Sequence, residues 1–138
     1  MNNKKGLKPV SSFSLAVLEE ASPDLKREIE KRYWSSVSEQ KHADDFPREK
    51  YQAGVDFVMM FLTSFLKYGD PSLMEDQLEW SRDRLPQDNF SLEEIQRSFK
   101  IISKVFQDLL PEKVWSELNP YLTWMIERQQ EVYAGDES

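Results

Sequence analysis

The sequence predicts an all-α protein: a single helical bundle of about five to six helices with a four-helix core. Three observations predict it. Only four glycines occur in 138 residues, β-branched runs are nearly absent, and apolar residues recur at three- and four-residue spacing, as in helices that each bury one stripe. The length suits one domain, able to bury about two thirds of the surface its unfolded chain exposes. Residues 12–134 are expected to form that domain, with 1–11 a mobile tail and 135–138 a frayed end.

The first helix is predicted over Ser12–Glu20, turning Phe13, Val17 and Leu18 toward a neighbour. Ser22-Pro23 reads as a cap followed by proline at the first helical position, where its missing N–H costs nothing. A second helix should therefore run to about Ser38, with Leu25, Ile29, Tyr33 and Val37 on one stripe. Lys41 to Phe46 is a polar connection, and Pro47 opens a third helix from a cap at Asp45 or Phe46. Tyr51, Val55, Val58, Leu62, Phe65 and Leu66 form its stripe, and Phe57 and Phe61 widen it enough to predict a central helix. Gly69 closes that helix in the left-handed conformation glycine adopts cheaply.

Asp70-Pro71 repeats the cap-plus-proline start. The fourth helix, Pro71 to about Leu85, is amphipathic through Met74, Leu78 and Leu85, with Leu73, Gln77 and Trp80 on its flank and Pro86 after its end. Ser91-Leu92-Glu93-Glu94 is a capping box, in which the serine accepts from the third amide, Glu94 reaches back, and Phe90 staples onto Ile95. Leu92, Ile95, Phe99, Ile102, Phe106 and Leu109 then give the seam of a long bundle helix. The last helical region begins near Pro111 and carries Val114, Trp115, Leu118, Leu122, Met125 and Ile126; Asn119-Pro120 either kinks or restarts it.

A net charge of −7 opposes sequence-independent nucleic-acid binding, which needs clustered cations, and opposes docking on acidic lipid. The absence of cysteine removes disulfides, thiolate nucleophiles and cysteine-held metal centres, in keeping with a cytoplasmic location. The start, Met1 to Pro9, is basic but lacks a signal peptide's apolar stretch, and the longest apolar run, Phe57 to Leu62, is too short to span a bilayer.

Catalytic chemistry has few parts to work with. His42 is the one histidine; it sits beside Asp44 and Asp45 in a polar stretch with no nucleophile pattern and reads as an exposed loop residue. One histidine cannot supply the paired Glu-x-x-His helices of a di-iron bundle. Glu75, Glu79 and Asp83 follow one another at four-residue steps and have the chemistry to hold a hard cation or exchange protons, but Arg82 and Arg84 interleave with them, as on a solvated face. Glu19-Glu20 and Glu93-Glu94 answer to surface and capping needs, and no glycine-rich phosphate loop is present. An enzyme would have only Glu79, Asp83 and His42 to use, so a non-catalytic protein without metal or cofactor is expected.

The four tryptophans, Trp34, Trp80, Trp115 and Trp124, are many for this length. Indoles fill cores, line pockets for flat ligands and anchor interfaces. Trp115 reads as core, whereas Trp34 and Trp124 lie one position off their main stripes and suit a groove or dimer contact. Met59, Met60, Met74 and Met125 read as core filler.

From Lys50 to Leu122 the order of features is particular: a helix ending in Phe61-Leu62 and Leu66, then Gly69-Asp70-Pro71-Ser72-Leu73-Met74, then Leu78-Glu79-Trp80. A break, the Ser91-Leu92-Glu93-Glu94 helix, Leu110-Pro111-Glu112 and Pro120-Tyr121-Leu122 complete it. This resembles the helical-bundle domain that precedes the cobalamin-binding domain in bacterial corrinoid-dependent sensors and regulators. The resemblance implies a sensory bundle that caps the upper face of the corrinoid, in which Trp80 would shield the upper ligand. Where the photoreceptor members carry a Glu-His pair this chain has Asn89-Phe90-Ser91, and it contains no Asp-x-His-x-x-Gly loop, so a complete cobalamin pocket is not expected in it. The leading expectation is a helical regulatory module acting through a protein partner or homodimer, with Trp80, Trp124 and Trp34 as contact candidates. The second is a binder of a flat tetrapyrrole or corrinoid in a tryptophan-lined cleft.

Overall fold

The computed structural model describes residues 7–37, 48–88 and 91–135. Among them are five α-helices and no strand: α1 (Ser12–Val37), α2 (Arg48–Tyr68), α3 (Ser72–Arg84), α4 (Leu92–Leu109) and α5 (Glu112–Gly135), with a 3-10 turn over Leu85–Asp88 after α3. The all-α bundle is as the spacing predicts. The connection Lys41 to Phe46 with His42, the capping residues Asp45 to Pro47, and the staple residue Phe90 lie outside the described residues.

Neither Pro23, expected to open a second helix, nor Pro120, expected either to kink or to restart the last one, ends a helix. Pro23 lies inside α1 and Pro120 inside α5. Each is solvent-facing, and the carbonyl whose helical bond it removes belongs to an exposed residue, Glu19 or Ser116, so water can take over the acceptor. The buried stripes meanwhile keep phase across both: Leu18 to Leu25 in α1 is two turns apart, and Leu118, Tyr121 and Leu122 are all buried in α5. Burial on both sides of the proline outweighs one lost hydrogen bond.

Other terminal signals act as predicted or shift by a residue. Gly69, at φ 71°, ends α2 with its N–H on the Phe65 carbonyl at 2.7 Å. The Asp70 carboxylate accepts from the Ser72 N–H at 3.0 Å and the Ser72 hydroxyl at 2.8 Å, so α3 begins at Ser72 and Pro71 precedes it. Half of the capping box forms: Ser91 Oγ accepts from the Glu94 N–H at 3.1 Å. The Glu94 carboxylate turns inward instead, accepting from Tyr33 Oη at 3.2 Å and pairing with Arg97.

The predicted central role of α2 belongs to α5, which packs against all four other helices. Its buried residues, among them Val114, Leu118, Tyr121, Leu122, Met125 and Tyr133 and, at one edge, Trp124, cover about half of its circumference. Around it α4, α1, α2 and α3 follow as successive neighbours, and α3 returns to α5. Phe57 and Met60 of α2 are more than half exposed, at 52% and 53%, which is why α2 is peripheral. Phe13 at the start of α1 and Leu109 at the end of α4 also face solvent; Ser14, Leu18 and Leu110 are buried in their vicinity.

Of the segment expected as a mobile tail, the described part from Leu7 to Ser11 is docked. Val10 is buried and donates to the Leu66 carbonyl at 3.1 Å. Tyr121 Oη donates to the Lys8 carbonyl. Glu117 accepts from the Ser11 N–H at 3.0 Å and the Ser11 hydroxyl at 3.2 Å. Ion pairs join neighbouring helices: Arg32 to Asp108 at 2.8 Å across α1 and α4, Arg128 to Glu75 at 2.8 Å across α5 and α3, and Lys26 to Asp56 at 3.2 Å across α1 and α2. Each is partly solvated and contributes ~0–1 kcal/mol, so they favour one helix register more than they stabilise it.

Candidate functional site

The three tryptophans expected at contacts occupy three different places. Trp124 is 8% exposed and packs edge-on to Phe65, ring centroids 4.9 Å apart. It is a core residue, one whose buried Nε1 meets no hydrogen-bond partner among the described residues. Its position one step off the α5 stripe still faces inward because α5 buries more than one face, and so the expected contact role is corrected.

Trp34 stands at one end of the bundle in an aromatic cluster. Tyr33 and Tyr51 stack with centroids 4.0 Å apart, Trp34 sits edge-on to both, and the Arg48 guanidinium lies 4.4 Å from the Trp34 ring centroid. The hydroxyls of this cluster are engaged: Tyr33 donates to Glu94, and Tyr51 shares a 3.1 Å bond with Ser98 Oγ. Burial pushes both phenols well above the ordinary tyrosine value, so they remain neutral hydrogen-bonding groups.

Trp80 is 52% exposed and forms one rim of a cleft of about 220 Å3 between α2, α3 and α4. The opposite rim is Phe57. Ala53 and Gly54 of α2 also line the cleft, and among the described residues a Cβ placed on Gly54 would meet nothing within 4 Å. Ile95, Phe99 and Ile102 of α4, all buried, make the floor. The floor has two polar points. One is Ser98 with Tyr51; the other is Ser81, whose hydroxyl donates to the Leu78 carbonyl at 2.8 Å and lies 3.0 Å from Tyr133 Oη. Burial raises the Tyr133 hydroxyl as well. The surroundings are therefore mainly apolar, with Lys50 and Gln77 as further polar lining residues beside the satisfied hydroxyls, suited to taking up an apolar group.

The carboxylates Glu75, Glu79 and Asp83 are not brought together. Glu75 turns to Arg128 on α5, and Asp83 pairs with Arg82 at 2.9 Å, which holds its carboxyl below the ordinary value. No cluster able to hold a metal ion occurs among the described residues. Trp115 is partly buried against the core, and Met59, Met74 and Met125 fill it, whereas Met60 is exposed.

Reading the sequence picked out Trp80 but missed the rest of the cleft. By its spacing Phe57 belongs to a widened core stripe, and nothing in the sequence singles out Ser81 or Ser98. Gly54 offered a signal: glycine in the middle of an otherwise well-formed helix weakens it by ~1 kcal/mol relative to alanine, so its presence asks for a reason. No protein-family model, curated protein or solved structure matches the chain, and no described helix is long and apolar enough to cross a membrane.

Proposed function

We propose that the chain is a non-catalytic helical binding module of regulatory type, acting in the cytoplasm of a bacterium, whose working surface is the cleft between α2 and α3. The observation that carries this reading is that Phe57 and Trp80, each 52% exposed, flank a mainly apolar cleft with open space at Gly54 among the described residues. Large side chains left half in water on both sides of a concave apolar surface are what a protein interface uses as anchors. The test is a Phe57→Gln/Trp80→Gln double variant beside the wild type, compared by light scattering and by capture from native lysate. Loss of a dimer or of a captured protein in the variant, with the helical signal kept, supports the reading. A strictly monomeric wild type that captures nothing defeats it.

A second reading has its own observation: Trp80, the residue that the corrinoid-sensor resemblance picks out, lies on the cleft. At about 220 Å3 the cleft is smaller than the ~300–1,000 Å3 of a site that engulfs a small-molecule ligand, so a tetrapyrrole or corrinoid would be covered on one face only. Titration with haem, bilins and cobalamins should then quench tryptophan fluorescence, and the quenching should diminish in Trp80→Phe. Unchanged fluorescence with all three ligand classes removes this reading.

A further inference from the structure

The partner that fits this side of the molecule is narrowed by area, residue order and charge. Five of the seven large apolar side chains left exposed among the described residues stand on α2 and α3: Phe57, Met60, Tyr68, Leu73 and Trp80. Half-exposed groups of this size leave ~100 Å2 each in water. One copy therefore presents on the order of 500 Å2 of apolar surface and two copies about 1,000 Å2, the least that a specific interface buries.

The order of residues on α2 says what can cover it. Tyr51, Val55, Met59, Leu62 and Phe65 belong to its buried stripe. The opposite side carries Ala53, Phe57, Met60, Ser64 and Tyr68, at steps of four, three, four and four, and none of them is charged. By size they run small, large, large, small, large. In a second α2 turned end for end about a point between Met60 and Phe61, Ser64 comes opposite Phe57, Tyr68 comes opposite Ala53, and the two Met60 side chains meet near the axis. Each small residue then faces a large one. A face that fits its own reverse is what an isologous two-fold contact requires.

Charge favours the same register. Asp56 and Lys67 flank the uncharged line on the α1 side, where both border the groove between α1 and α2. Eleven residues apart, they are separated by about 16 Å along one helix and cannot meet within it. Asp56 is half in water beside Lys26 at 3.2 Å. The Lys67 ammonium lies 5.5 Å from the Tyr68 ring centroid, with no carboxylate beside it among the described residues. A two-fold axis keeps the α1-side flanks of both helices on one side of the seam, so each Lys67 comes within a turn of the second copy's Asp56. Two symmetric ion pairs result.

We propose, resting on the binding-module reading, that the partner is a second copy of this chain, with α2 packed antiparallel on α2 about a two-fold axis between Met60 and Phe61, Phe57 set against Ser64 and Lys67 against Asp56.

The chain has no cysteine, so an introduced one is the sole thiol. Ala53→Cys and Tyr68→Cys, both at exposed positions, are mixed and treated with a short bismaleimide. The crosslink between positions 53 and 68 should dominate, because each position stands about 22 Å from its own mate in this arrangement. Light scattering should give a dimer for the wild type. Met60→Lys and Lys67→Glu should each raise the dissociation constant about tenfold or more, and Lys67→Glu/Asp56→Lys should recover most of the second loss. Thermal melts check that the variants fold, and Lys67→Glu, at the rim, carries the test if lysine at position 60 disturbs α2. Crosslinks of 53 to 53 and 68 to 68 mean a parallel pair and overturn the proposal, as does a dimer indifferent to both substitutions. A monomeric wild type overturns it as well. If that monomer captures a lysate protein that Phe57→Gln/Trp80→Gln loses, the binding-module reading stands; if it captures nothing, both fall together.

Discussion

Two regions of this bundle use the same kinds of residue to opposite ends. Where α1, α4 and α5 meet, side chains close over one another: Leu25, Ile29, Phe106, Leu118 and Leu122 are fully or almost fully buried, and the tyrosines at the bundle's end are stacked and hydrogen-bonded. Where α2 faces α3, small residues stand at positions that large ones could fill, and Phe57 and Trp80 remain half in water. Trp124 and Trp80 make the contrast most directly, one 8% exposed against Phe65 and the other 52% exposed on a rim. The difference predicts that a closed side chain contributes more to folding free energy than Phe57 or Trp80 does, leaving the rims of the cleft free to be shaped by something other than stability.

The largest expected effect tests that division. Phe106→Ala opens a cavity in the closed region and should cost ~3–5 kcal/mol in chemical denaturation. Trp80→Ala should cost less than half as much, ~1–2 kcal/mol, because half of the indole is solvated before and after folding. Equal losses from the two substitutions would show that α3 is as much part of the folding core as α4.

Next in size is Tyr51→Phe, at the boundary between the two regions. It keeps the stack on Tyr33 but leaves the Ser98 hydroxyl, 6% exposed, without its 3.1 Å partner. A buried hydroxyl left unpaired costs ~1–2 kcal/mol, and a Tyr51→Phe/Ser98→Ala double variant should recover part of it. If the single variant is neutral, water already reaches Ser98 through the cleft, and the floor is wetter than the closed region.

How legible this contrast was in the sequence differs between its two halves. The closed half was readable because burial leaves a period: Ile95, Phe99, Ile102 and Phe106 repeat it plainly, and Ser91 and Gly69 mark helix ends by local hydrogen bonding and backbone conformation. Pro23 opens no helix, and Pro120 does not restart one, because a local rule competes with burial that is phased across them, which becomes visible only once neighbours are placed. The cleft was least legible. A phenylalanine on a helix flank looks the same whether the next helix covers it, as at Phe65, or stops short, as at Phe57. Only Trp80 and the unexplained Gly54 pointed there.

A smaller and local effect is expected where the N-terminal segment is fastened to the closed region. The backbone hydrogen bond from Ser11, with the Ser11 hydroxyl and Lys113 assisting, holds the Glu117 carboxyl below its ordinary value of 4.5. A carboxylate lowered by folding adds stability that is fully present above 4.5 and is lost as pH falls through the lower folded value. The Val10 amide, bonded to the Leu66 carbonyl at 3.1 Å, should therefore lose exchange protection on acidification earlier than the core amide of Ile102. Glu117→Gln should abolish that difference in pH response; an unchanged profile would mean that Val10 burial alone fastens the segment.

The smallest expected effect has the opposite sign and bears on the open region. At Gly54 an added methyl meets nothing within 4 Å among the described residues and the backbone is helical, so neither strain nor clash with them opposes alanine. Helix propensity alone then predicts that Gly54→Ala raises stability by ~0.5–1 kcal/mol, read as a higher midpoint in denaturant at unchanged slope. The same substitution in the closed region would have no room to be neutral, still less favourable. A gain in stability accompanied by weaker partner binding would identify glycine here as a position where the fold gives up stability to keep a surface open. A loss would instead mean that α2 is strained at this level or that a neighbour occupies the space, and the cleft would then be narrower in solution than its volume of about 220 Å3.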